Sequence, residues 1–71
     1  MTVKHLTIEI EQEDDGRWIA EVTELPGALA YGDTRKDAIS RAEALAFRVL
    51  AERLENGEAV PEIEQLFAVG G

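Results

Sequence analysis

Four carboxylates offer the first chemistry to weigh in this sequence of 71 residues. Glu9 and Glu11 stand two apart in an alternating apolar and polar run, Asp33 follows a glycine, and Glu43 falls within a long helix-forming stretch. Hard divalent cations take such oxygens, and a pair of metals held in this way cleaves phosphodiesters. The spacing works against that reading. Residues two apart on a strand share a face, so Glu9 and Glu11 lie together, opposite Leu6, Ile8 and Ile10. If those apolar residues meet the helix, the two acids point away from Glu43, and solvated surface charge is the simpler account. His5 offers a general base, but no Ser or Cys pairing motif stands beside it. Asp14-Asp15-Gly16 lacks the alternating ligands and the later glutamate of a calcium loop, and turn chemistry accounts for it. Gly27 and Gly32 are too isolated to cradle a phosphate, and no Gly-Lys-Ser/Thr motif is present. With no cysteine anywhere, thiol catalysis, Cys-ligated zinc and disulfides are excluded as well. The residues point to no catalytic group, no metal and no cofactor.

Charge narrows the partners. Fifteen acidic side chains against seven Lys and Arg give a formal charge of −8. Nucleic acid and anionic membranes both demand a clustered basic surface, and here the basic residues are few and scattered from Lys4 to Arg53. Apolar residues make up 45% of the chain, enough for a folded domain. The start, Met1-Thr2-Val3-Lys4-His5, has no signal-peptide pattern, and no run nears the ~18 apolar residues of a membrane span, so a cytoplasmic protein is expected. The length fits one domain over 1–71. A domain this small buries only about 60% of its unfolded surface, so self-association is expected as support for a thin core.

Stepping along the chain, Leu6, Ile8 and Ile10 alternate with Thr7, Glu9 and Glu11 as in a half-buried strand, and Asp-Gly then reverses the direction. A return strand runs from Arg17 to Thr23. Pro26-Gly27 makes a corner, because proline cannot donate to a ladder and glycine tolerates a turn. Ala28 to Tyr31 reads as a short third strand ended by Gly32-Asp33. Thr34 with Asp37 three residues on is a capping-box variant, opening a helix from Arg35 to Glu55 that Asn56-Gly57 stops. On that helix Ala38, Ile39, Ala42, Leu45, Ala46, Val49 and Leu50 share one arc, with Asp37, Arg41, Arg48 and Glu52 opposite. A last short strand is expected over Ile63 to Val69. The order is β-β-β-α-β, an α+β domain with three antiparallel strands, one long helix on the sheet, and a right-handed crossover returning the last strand beside the first.

Two runs carry a resemblance. Trp18-Ile19-Ala20-Glu21-Val22-Thr23-Glu24-Leu25-Pro26-Gly27-Ala28, followed by Tyr31-Gly32-Asp33-Thr34-Arg35-Lys36-Asp37-Ala38, resembles the signature of HicB-like antitoxins. In that family a strand of the form Ala-x-Val-Pro-x-Leu-Pro-Gly leads to Gly-Asp-Thr and a helix opening x-x-Glu-Ala. The structural motif residues here are Pro26, Gly27, Gly32, Asp33 and Thr34. The likeness covers nearly the whole chain, since the leading strand, the Asp-Gly turn and the long helix fall in order. It departs at Thr23, where the family often has proline, and at Asp37, where glutamate is usual. The resemblance implies a truncated RNase H-like fold without enzymatic activity, acting as the antitoxin that binds and silences a small basic HicA-type RNA-cleaving toxin in a type II toxin–antitoxin pair. Many family members continue into a DNA-binding domain. This sequence ends at Gly71, so operator binding is not part of the expectation.

A chain of charge −8 complements a basic partner electrostatically, while affinity must come from a desolvated patch. Phe47 and Leu54 extend the helix's apolar arc beyond one sheet face, with Glu43 between them and Leu50. Together with Tyr31 and Trp18 these are the candidate contacts for the toxin or for a homodimer or higher oligomer. The alternative is an orphan module of the same fold that serves only in interaction or oligomerisation; a divergent metal nuclease is the third and most remote reading.

Overall fold

The computed structural model describes residues 6–61 and 67–70. Three strands, β1 (Ile8–Gln12), β2 (Trp18–Val22) and β3 (Leu29–Gly32), form an antiparallel sheet in the order β1-β2-β3, and the helix α1 (Arg35–Glu55) packs across one face. The expected α+β class, three antiparallel strands and a long helix on the sheet, is the architecture the chain adopts. Of the last strand expected at Ile63–Val69, residues 63–66 lie outside the described residues, and Phe67–Val69 carry no strand pairing.

Each connection follows from local chemistry. The first hairpin closes when Glu13 N–H donates to the Arg17 carbonyl (2.7 Å) and Gly16 N–H to the Glu13 carbonyl (2.9 Å), with Gly16 at φ +92°. A three-residue loop needs a left-handed residue at that position, and glycine takes it without steric cost. The corner after β2 is a type II turn. Ala28 N–H donates to the Leu25 carbonyl (3.0 Å), with Pro26 and Gly27 (φ +92°) in the two central positions these residues favour. The turn turns Leu25 inward, where it is fully buried.

Strand limits shift from the expected ones for identifiable reasons. The Thr7 N–H donates to the Glu24 carboxylate (2.8 Å), and only Thr23 N–H to Thr7 carbonyl (3.0 Å) continues the ladder, so β1 begins at Ile8 instead of Leu6. The Ala28 carbonyl accepts from Val22 N–H while its own N–H closes the turn, so β3 starts one residue later, at Leu29, and runs through Gly32.

Helix α1 has the limits its caps dictate. The Thr34 hydroxyl oxygen accepts the Asp37 N–H (3.1 Å). No return bond from the Asp37 carboxylate is present among the described residues; aspartate is one methylene shorter than the glutamate that completes the reciprocal pair. At the other end Gly57 N–H donates to the Leu54 carbonyl and Glu58 N–H to the Arg53 carbonyl, with Gly57 at φ +76°, a Schellman closure.

The core is built largely from alanine. Ala20, Ala28, Ala30, Ala38, Ala42 and Ala46 are buried between sheet and helix, with Val22, Leu25, Leu50 and Val60 supplying the bulk. Small side chains bring helix and sheet close together. The approach is close at Gly32, where a Cβ would stand 2.9 Å from the Cα of Ala38.

Candidate functional site

The register divides the sheet into two unlike faces. Residues opposite one another across an antiparallel pair share a face, so the pairs Ile8↔Val22, Ile10↔Ala20 and Ala20↔Ala30 lie beneath α1. The pairs Glu9↔Glu21, Glu11↔Ile19, Ile19↔Tyr31 and Glu21↔Leu29 therefore form the opposite face. No described element covers that face. Glu9, Glu11 and Glu21 are exposed there, Ile19 is half-buried, and Leu29 and Tyr31 are 37% and 41% exposed. The side chains border a shallow depression of about 460 Å³ lined by Glu9, Ile10, Glu11, Ile19, Glu21 and Leu29.

Electrostatics on this face are uneven. At the hairpin end Arg17 is committed to Asp15: its backbone N–H donates to Oδ1 (3.0 Å) and its Nε to Oδ2 (2.8 Å). Its guanidinium lies 5.0 Å from the centre of the Tyr31 ring, within cation–π range. The backbone N–H and then the side chain of Arg17 hold the Asp15 carboxyl below its ordinary value. At the other end Glu9 and Glu21 oppose each other directly. Like charges in this relation destabilise a sheet, and among the described residues no salt bridge reaches Glu9, Glu11 or Glu21.

A second surface lies between α1 and the start of β1. Leu6, Ile8, Val22, Glu43, Ala46, Phe47 and Leu50 line a groove of about 130 Å³. Phe47 is 66% exposed at its lip, and Leu54 is half-exposed near the helix end. Beside the groove runs the outer edge of β1. Thr7 and Glu13 aim their backbone groups at β2, so by alternation Ile8, Ile10 and Gln12 aim theirs outward. The outer edge of β3 is treated differently, since Arg41 Nη1 donates to the Tyr31 carbonyl (3.0 Å). That contact takes Arg41 out of the purely solvated back of the helix expected for it.

The five contact candidates are thus not brought together. Glu43 and Phe47 share the groove, Leu54 lies a turn or more beyond, Tyr31 is on the open sheet face, and Trp18 is half-buried on the helix side of β2. Glu9 and Glu11 lie on the sheet face opposite the helix that carries Glu43, which separates the carboxylates a two-metal site would need. No group of three metal-ligating side chains converges among the described residues. His5 lies outside them. Ile19, Glu21 and Leu29 do not stand out in the sequence as contact residues. Their signal was the odd-numbered alternation of β2 and β3, which places them with Tyr31 once the turn lengths set the register. The motif residues Pro26, Gly27, Gly32, Asp33 and Thr34 shape the corner and the helix start. No helix among the described residues is long and apolar enough to cross a membrane.

Comparison with protein-family models, with curated proteins and with solved structures finds no match for this chain.

Proposed function

We propose that this chain is the cytoplasmic antitoxin of a type II toxin–antitoxin pair, a HicB-like domain with a truncated RNase H-like fold that binds and neutralises a small basic HicA-type RNA-cleaving toxin. It works without enzymatic chemistry, by covering the toxin's active site or RNA path. The observation that carries the reading is the disposition of charge. Among the described residues no charged side chain is buried and a single ion pair, Arg17 with Asp15, neutralises any of the acid, so the acidic excess of these residues is presented outward. Such a field speeds encounter with a cationic protein and disfavours RNA itself. The family-like corner and helix start support the same reading, because Pro26-Gly27 and Gly32-Asp33-Thr34 perform defined structural tasks. The protein works as a homodimer or higher oligomer, with Phe47 and its groove as the self-pairing side. That groove also favours the alternative, an orphan oligomerisation module of the same fold.

Co-expression with the small basic protein of the adjacent reading frame separates the two. An antitoxin restores growth and co-purifies with that protein; an orphan module does neither.

A further inference from the structure

We infer that the open face of the sheet, and not the Phe47 groove, is where the basic partner docks, receiving an apolar patch flanked by arginine or lysine side chains. The inference rests on the proposed binding of a basic protein and names the surface that performs it. Three properties meet on this face and on no other described surface. It offers apolar contact, through Ile19, Leu29 and Tyr31, which a desolvated interface centre requires. It rims that contact with Glu9, Glu11 and Glu21, in register across the β1–β2 ladder and unneutralised among the described residues. And it holds one guanidinium already: Arg17 over the Tyr31 ring, anchored by Asp15, shows how the face accommodates an arginine.

The Glu9↔Glu21 pair marks this face out energetically. Two glutamates directly opposed on a ladder cost stability that either could remove by becoming lysine. Places where a sequence breaks a local rule without structural gain are expected at functional surfaces, and an arriving cation converts this repulsion into attraction. Stability and binding are therefore opposed at position 21.

The test measures both on the full chain. Glu21→Lys and the charge-matched control Glu52→Lys, on the exposed back of α1, are compared with the unaltered protein for melting temperature and for affinity to a catalytically inactive HicA-type toxin. Glu21→Lys is expected to melt at a higher temperature yet bind about tenfold or more weakly, because a reversed charge beside the apolar patch repels the partner's cations where they dock, while Glu52→Lys loses only about two- to threefold through the weaker field. Equal losses from the two variants would overturn the docking surface and leave the antitoxin reading standing. A titration of the labelled protein with the peptide Arg-Leu-Arg-Leu-Arg, followed by nuclear magnetic resonance, completes the design. Shifts centred on Glu9, Glu21 and Leu29 support the surface even if the toxin is not bound, in which case the antitoxin reading falls; no binding of either probe removes both.

Discussion

Single atoms decide the helix–sheet contact at Gly32. A methyl group there would collide with the backbone of Ala38, and backbone cannot move aside as a flexible side chain can. Gly32→Ala is therefore expected to destabilise the fold by about 1–3 kcal/mol, the usual cost of forcing extra volume into a packed site, read as a lower urea midpoint. At the other end of the sheet, the Glu24 carboxylate accepts the Thr7 N–H and so takes over a rung of the ladder. The Thr7 backbone N–H is the main cause that lowers this carboxyl below its ordinary 4.5, with the Thr23 hydroxyl adding to it. A lowered folded value means that the folded state favours the charged form, so its contribution is complete above about pH 4.5 and fades as pH falls through the lowered value. Glu24→Gln should then melt below the unaltered protein by a constant margin at neutral pH, and the margin should narrow in acid. A margin independent of pH would show that the carboxylate charge is immaterial to this rung.

At the level of elements, the chain's plan was readable where one local signal dominates. Thr34, Asn56 and Gly57 mark both ends of α1, and of the seven residues expected on its apolar arc Ala38, Ala42, Ala46 and Leu50 are buried while Ile39, Leu45 and Val49, at its margins, are half-buried. The Asp-Gly and Pro-Gly turns were equally legible, because each demands a backbone conformation that few residues supply. What could not be read was whatever depends on register. Glu9 opposite Glu21, and Ile19 beside Tyr31, become neighbours only when both turns are closed, so the open face was invisible as a surface although each residue on it was plain. Arg41 is a similar case: its bond to the Tyr31 carbonyl depends on how α1 crosses the β3 edge. The shortness of the alanines along α1 sets the helix-to-sheet distance, and this yields a test at the scale of the layer. Ala42 is fully buried, and Ala42→Leu should push the helix away at a cost of about 1–3 kcal/mol, whereas Ala44→Leu on the exposed side should cost almost nothing. Equal effects in denaturant melts would show that the layers are loosely packed.

For the molecule as a whole, a sheet that the described elements cover on one face only and a core made mostly of alanine leave, among the described residues, two exposed surfaces of different character. The groove beside β1 is apolar with an exposed phenylalanine at its lip; the open sheet face is acidic around an apolar centre. The proposed division of labour gives self-pairing to the first and the basic partner to the second. Phe47→Asp is accordingly expected to shift sedimentation from oligomer to single chain while leaving the circular dichroism spectrum unchanged, since the side chain contributes little to the core. A single-chain species already present at micromolar concentration in the unaltered protein would remove the oligomer from the picture. The central claim, that an acidic domain silences a basic RNA-cleaving protein by sitting on it, is tested most directly by titrating this chain into an RNA-cleavage reaction driven by a HicA-type toxin. Cleavage should fall linearly with added chain and cease at a fixed stoichiometric ratio, with no RNA broken by the chain alone; undiminished cleavage in the presence of excess chain would contradict it.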